Sequence, residues 1–330
     1  MWKLSLTVAC TAYDRVRPIM DGRVPIEGCD ISFFPIEPEE AFHRAYSAQD
    51  FDITELSCSS HILTTAQGDA PYVAIPVPIL QVFRHSSFYI RTDRGIKSPQ
   101  DLRGKLIGVP EYQMTAALWG RGILADEYGV KSHEIRWRNG GLTQAGRNER
   151  TPIKLPSEFE LKPIPEDKTL SEMLEMGELD ALLSPRPPAC FLKGAPNIVR
   201  LFSDVHAAER DYYRKTRMFP IMHFIAIRRK LVEAHPWLAA SVFKSFMQAR
   251  NIAMDELNHI GMLFVMLPWL PEHVAQTKAV MGPNFWPYGF KAIRKEVEAM
   301  LRWSVEQGLS RRTPTVEEIF APGTLDFARI

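Results

Sequence analysis

The stretch SPQDLRGKLIGVP, residues 98–110, decides how this chain folds. Ser98 and Pro99 open one short turn, PQDLRG, and KLIGVP then runs apolar into Pro110, which is a strand entered from a tight bend. MTAALWGRGILADEYG (114–129) follows as a helix stopped by Gly129. Further on, TLSEMLEMGELDALLS (169–184) sets Thr169 and Glu172 at capping-box spacing, then gives a helix, a stop at Gly177 and a second strand. A strand, helix, strand order with a connection this long predicts a parallel α/β unit. The same alternation holds upstream, with strands at KLSLTVA, CDISFFPI and FDITEL and helices at EPEEAFHRAYSAQ and SCSSHILTTAQG. Downstream, RMFPIMHFIAIRR reads as a strand and is followed by a helical C-terminal third. Residues 140–168, rich in Gly, Pro and charge, read as a long loop.

Length and composition bound the function. A chain of 330 residues with 45% hydrophobic and 24% charged side chains holds about two domains of ordinary size. A net charge of +1 argues against a nucleic-acid binder or a polybasic membrane protein. Cys10, Cys29, Cys58 and Cys190 form no CxxC pair, so zinc-ribbon and thioredoxin readings fail, and scattered thiols suit a reducing compartment. No apolar run reaches the roughly 20 residues of a membrane span. In MWKLSLTVAC, Ser5 and Thr7 break a run already too short for a secretory core, and the alternation of Leu4, Leu6 and Val8 is that of a strand. The expectation is a cytoplasmic protein, complete from Met1.

The elements around residues 98–184 resemble the second lobe of type II periplasmic-binding-protein folds. Such a fold has two α/β lobes joined by two crossing strands, with a ligand cleft between them. YDRVRPIMDGRV, VFRHSSFYIR, RMFPIMHF, HPWLAASVFKSF and FWPYGF go further and resemble the 4,5-dihydroxyphthalate decarboxylase family over nearly the whole chain, from Tyr13 to Phe290. The resemblance implies lobe 1 at 1–94 and 222–330, carrying the C-terminal helices, with lobe 2 inserted at 95–221. It also implies non-oxidative loss of carbon dioxide from a small hydroxylated aromatic dicarboxylate, giving protocatechuate, with no cofactor.

That chemistry sets requirements. Direct loss of carbon dioxide leaves an aryl carbanion, whereas protonating the ring carbon first, pushed by a para hydroxyl, avoids it. The site must grip a spectator carboxylate, which suits arginine's planar fork, and deliver a proton, which suits histidine. Ligands in open α/β sheets sit beyond the carboxyl ends of the strands. That rule selects Arg15 and Arg17 beside Asp14, then Glu55, Ser59 and Ser60, then Thr115, then Arg186 between prolines. Arg84 and His85 at one crossing and His223 at the other complete the set. His223 and His85 are the candidate proton carriers. Glu55 either caps a helix, orients a histidine or accepts a phenol proton. The arginines, the two serines and Thr115 are candidates for the substrate's anionic groups.

Each has a duller alternative: Arg15 and Arg17 as a surface pair neutralised by Asp14, His223 as a satisfied core histidine, Trp286 and Tyr288 as packing rather than a roof over the ring. No HExxH, HxH or carboxylate-rich loop is present, so no metal site is expected. Two other functions fit the same cleft: a solute-binding protein for an aromatic or sulfonate anion, and an enzyme of menaquinone or thiamine-precursor metabolism. The expected partner is a small-molecule substrate, not nucleic acid or membrane. Met262, Leu263, Phe264, Met266 and Trp269 pack either internally or against a second copy in a homo-oligomer.

Overall fold

The computed structural model describes residues 3–147, 149 and 151–326. Among these described residues eleven strands build two sheets. The first holds β1 (Leu4–Cys10), β2 (Cys29–Pro35), β3 (Ile53–Ser57), β4 (Tyr72–Gln81) and β11 (Ile221–Arg228), in the order β2-β1-β3-β11-β4. The second holds β5 (Phe88–Arg91), β6 (Leu106–Val109), β7 (Arg136–Asn139), β8 (Leu161–Pro163), β9 (Ala181–Leu183) and β10 (Ile198–Arg200), in the order β10-β5-β9-β6-β7-β8. β1 runs parallel to β2 and β3, while β11 returns antiparallel between β3 and β4. In the second sheet β6 is parallel to β7 and β9, and β5 is antiparallel to β9.

Among the described residues twelve α-helices cover these sheets: α1 (Arg17–Met20), α2 (Pro38–Ser47), α3 (Cys58–Gln67), α4 (Thr115–Tyr128), α5 (Leu170–Glu175), α6 (Ala189–Leu192), α7 (Val205–Thr216), α8 (Arg229–Ala234), α9 (Leu238–Asn258), α10 (Leu270–Met281), α11 (Phe290–Glu306) and α12 (Val316–Ile319). The capping box expected at Thr169 forms, with Thr169 Oγ1 accepting from the Glu172 N–H.

The crossings differ from expectation in one respect. β5 pairs with β9 and β10, so residues 88–91, counted with the first lobe by the sequence, lie in the second sheet. The conspicuous Gly95–Pro99 punctuation is a turn inside that lobe. The chain passes between sheets near 82–87, where no glycine or proline marks it. The loop expected at 140–168 also carries β8, a three-residue strand ending in Pro163. Such a residue is tolerated there because β8 is the outermost strand.

Among the described residues three apolar clusters form: a small one inside the second lobe around Tyr89, Leu170 and Leu182, and two larger ones. One lies between the first sheet and α1 and α9, with Val8, Ile53, Ile75, Ile225 and Phe246 in it. The other runs without a break from Leu56, Tyr72 and Phe224 of the first lobe to Ile107, Trp119 and Trp137 of the second. It is closed by α11, whose Trp303 meets Trp119 edge-on at 4.9 Å between ring centroids. Trp303 also lies on Gly122, where an added Cβ would stand 2.4 Å from the indole. Trp119 Nε1 donates to the Ile221 carbonyl at 2.8 Å, tying α4 to β11 across the lobes. Between α9 and α10, by contrast, Ile260, Met262, Leu263, Phe264, Met266 and Trp269 stand exposed to solvent.

Candidate active site

The site grows from the carboxyl end of β3. Along that strand Glu55 and Ser57 are two residues apart and share a face. The antiparallel register sets His223 of β11 opposite Ser57, so the ring and the hydroxyl are neighbours on that face. His223 Nδ1 lies 2.6 Å from Glu55 Oε1. Glu55 is fully buried, and its carboxylate gathers three further donors: the Tyr13 hydroxyl on Oε1 at 2.9 Å, and the Thr11 N–H at 3.2 Å and the Cys10 thiol at 3.4 Å on Oε2.

Burial alone would push the Glu55 carboxyl up. The His223 hydrogen bond and charge, with the Thr11 and Tyr13 donors, outweigh it and hold the carboxyl below its usual range. Burial first, and then the Glu55 charge, push the Tyr13 hydroxyl and the Cys10 thiol the other way, so both stay protonated donors. An ionised Glu55 can only accept, which places a proton on His223 Nδ1 and leaves Nε2 as the ring nitrogen free for exchange. The ring is held edge-on to Phe42 of α2 at 4.8 Å.

Beside this dyad two helix N-termini meet across the lobes. Thr115, the first residue of α4, bonds Ser57 Oγ at 2.8 Å and accepts from the Ser59 N–H of α3 at 3.0 Å. A second-lobe hydroxyl thus caps a first-lobe helix. Ser60 Oγ donates to Gln113 Oε1 at 2.8 Å. Ser59 Oγ is buried without a hydrogen-bond partner. Both helices point their positive ends at this spot, an arrangement that favours a bound anion.

The expected residues therefore divide. Glu55, His223, Ser59, Ser60 and Thr115 come together. Arg15 lies behind the dyad. Its Nε donates to the Ile79 carbonyl at 2.7 Å, its Nη1 pairs with Asp14 at 2.9 Å, and its guanidinium is sandwiched between Tyr13 and Trp286, 4.3 Å from each ring. It braces Tyr13, and Trp286 packs on it rather than roofing a ligand. Tyr288 is a core residue. Arg17 is exposed on α1, outside the cluster.

Arg84 and His85 face elsewhere. Arg84 Nε donates to Met222 Sδ at 3.1 Å, on the neighbour of His223 whose side chain alternates away from it. Burial lowers the guanidinium to about 10, opposed by the Glu209 charge of α7. His85 packs against Phe202 and Tyr212, and burial pushes it down to about 4, which keeps it neutral. Of the polar run Arg84–His85–Ser86, only the Ser86 N–H finds an acceptor on α7, at Glu209; Arg84 turns to Met222, and His85 Nδ1 is buried without a hydrogen-bond partner.

At the rim, Arg186 reaches Glu39 of α2 at 3.3 Å. Arg147 reaches both Glu39 at 3.2 Å and Glu111 at 2.8 Å. Arg147, Glu39, Tyr13 and Phe42 were not singled out in the sequence, because they join the site only through tertiary contacts. Among the described residues no three His, Cys, Asp or Glu side chains converge as a metal site does.

Two mixed α/β lobes, linked by two crossings and carrying an acid–histidine pair where a first-lobe strand end meets the second lobe, define a type II periplasmic-binding-protein-like fold. Solved structures agree. A periplasmic sulfonate-binding protein of Methylobacillus flagellatus superimposes with a TM-score of 0.58 at 12% identity, covering 97% of this chain and 92% of that one. The aliphatic sulphonate binding protein of Escherichia coli gives 0.52 at 14%, with 98% and 99% covered. The desulfurization enzyme DSZB gives 0.51 at 13%, with 98% of each chain covered. At such identities these show the fold alone.

No family model matches the chain. Relatives by sequence are more specific. The 4,5-dihydroxyphthalate decarboxylase of Comamonas testosteroni is 42% identical over 330 residues, covering all of both chains. That of Pseudomonas putida is 48% identical over 214 residues, 65% of this chain and 83% of that one. The chain belongs to the 4,5-dihydroxyphthalate decarboxylase family.

Proposed function

We propose that this protein is a carboxy-lyase converting 4,5-dihydroxyphthalate to protocatechuate and carbon dioxide, with the Glu55–His223 dyad as its proton device. The observation that carries the residue assignment is the 2.6 Å Nδ1 to Glu55 contact, which fixes the tautomer and leaves Nε2 for the ring. The C4 hydroxyl of the substrate is para to C1. As that hydroxyl passes its proton to solvent, electron density moves to C1, which takes a proton from Nε2 of the His223 imidazolium. The carbon–carboxylate bond then breaks, its electron pair restores the aromatic ring, neutral carbon dioxide departs, and the phenolate oxygen and the imidazole each regain a proton from solvent. A dianion becomes a monoanion, so each turnover consumes one proton. Glu55 is fully buried and its two oxygens take four protein donors, so it serves as a positioning residue that supports the imidazolium.

Ser57, Ser59, Ser60 and Thr115, with the two helix ends, are suited to hold the spectator carboxylate. Arg186 is placed to add charge at the rim. The sulfonate-binding neighbours share the architecture, but the relatives by sequence are enzymes, which favours catalysis over solute capture. The four unpaired cysteines suit a cytoplasmic setting. The exposed apolar turn from Ile260 to Trp269 is a surface on which a homo-oligomer would form. Among the described residues no helix is long and apolar enough to cross a membrane.

The decisive experiment incubates the purified protein with 4,5-dihydroxyphthalate and follows carbon dioxide release, proton uptake and the ring spectrum. One proton and one carbon dioxide per protocatechuate are expected. An unchanged ring spectrum at high enzyme concentration defeats the proposal.

A further inference from the structure

The rim of the cleft carries a carboxylate that belongs to the protein. Glu39 lies in the first turn of α2, one helical turn before Phe42, and residues three apart on a helix are neighbours. Since Phe42 touches His223, the Glu39 carboxylate stands about one turn from the dyad. Its two oxygens are divided between two guanidinium groups of the opposite lobe, Oε1 toward Arg186 Nη2 at 3.3 Å and Oε2 toward Arg147 Nη2 at 3.2 Å. That is how a two-arginine clamp holds a ligand carboxylate.

The partners are unequal. Glu39 is 38% exposed, and exposed ion pairs of this kind are weak and readily exchanged. Glu111 holds the same Arg147 Nη2 at 2.8 Å and is only 1% exposed. Glu111 is in turn bonded by Gln113 Nε2 at 3.3 Å, and Gln113 receives Ser60 from the α3 N-terminus. Arg147 thus has a buried anchor that stays and an exposed partner that can leave.

We infer that Arg147 and Arg186 form a clamp for a carboxylate of the substrate, and that Glu39 is the resident carboxylate this group displaces. The inference rests on the decarboxylase reading for the identity of its ligand. On it, Arg147 is a binding residue anchored by Glu111, and Glu39 is a specificity device. A ligand without a negative group gains nothing by removing Glu39, so neutral aromatic rings are left at the rim while aromatic acids exchange with it.

Calorimetric titration with phthalate, which carries the two carboxylates and cannot follow the reaction, tests this without turnover. Catechol, with the hydroxyls and no carboxylate, is the control. Glu39→Gln is expected to bind phthalate about fivefold more tightly than wild type, with catechol unchanged. Arg147→Ala is expected to bind phthalate at least tenfold more weakly, and Arg147→Lys to recover part of that loss, since a point charge replaces a fork. Thermal melts of each variant identify any that fail to fold, and Arg147→Lys stands in if Arg147→Ala does. Weaker phthalate binding by Glu39→Gln would make Glu39 a closing latch and overturn the inference, as would wild-type affinity in Arg147→Ala and Arg147→Lys. Phthalate that fails to bind a wild type that turns over 4,5-dihydroxyphthalate overturns it too. Arginine-dependent phthalate binding without turnover strikes the decarboxylase reading and leaves the clamp standing.

Discussion

Replacing Glu55 by Gln keeps the shape of the side chain and removes its charge. The wild-type carboxylate accepts from His223 and Tyr13 on one oxygen and from Thr11 and Cys10 on the other. An amide has one oxygen for these two sets of donors. With the oxygen kept toward His223, the NH₂ group confronts the Thr11 N–H, and a buried donor left unpaired costs about 1–3 kcal/mol of stability. The catalytic effect is separate. A hydrogen bond to a charged partner is worth about 1.5–3 kcal/mol, so the ring loses roughly 10–100-fold of the support that the carboxylate gives it in proton transfer. The expected result is a kcat lowered by that factor with KM within about twofold, because the Glu55 oxygens are taken up by protein donors. Steady-state kinetics, on protein whose melting temperature has been checked, gives both quantities. A variant with wild-type kcat would refute the dyad.

Other consequences can be checked independently. His85→Phe retains the packing on Phe202 and Tyr212 and should keep kcat within about twofold, measured by carbon dioxide release; a hundredfold loss would return His85 to the site. Thr115→Val leaves Ser57 Oγ and the Ser59 N–H without their cross-lobe partner, and should raise KM severalfold and cost about 1–3 kcal/mol by denaturant titration. Glu296 of α11 accepts the Phe219 N–H, and burial lifts its carboxyl from 4.5 to about 7. Between those values the folded state keeps a proton that the unfolded chain has lost, so stability falls as pH rises through that window, by roughly 3 kcal/mol, and then levels off. Glu296→Gln should show a shallower slope there and be the more stable protein at pH 8. It should not be flat, because Glu149 is likewise raised to about 7.

What the sequence disclosed follows from how local each signal is. Glu55, Ser59, Ser60 and Thr115 were legible because each lies at or shortly after the carboxyl end of a strand, where α/β geometry places ligands. His223 was legible as a polar interruption of an apolar strand. Arg84 and His85 sent the same kind of signal and led elsewhere, because a polar run needing partners does not say on which side of the crossing they lie. Arg15 and Arg17 are two residues apart, yet one is wedged between aromatic rings and the other points to water. The donors that hold Glu55, from Cys10 to Tyr13, lie more than 40 residues from it. The pair Glu39 and Arg147 spans 108 residues and has no local pattern at all.

The Trp119–Trp303 contact bears on how the chain is made. Every strand of the second sheet is synthesised by residue 200, yet the indole that seals its inner helix comes only at residue 303. Until then the newborn polypeptide carries a bare aromatic surface on α4, which sticks to whatever it meets. Synthesis is thus a race between the tail's emergence and aggregation, and a transcript truncated before codon 303 yields a product for chaperones and proteases rather than half an enzyme.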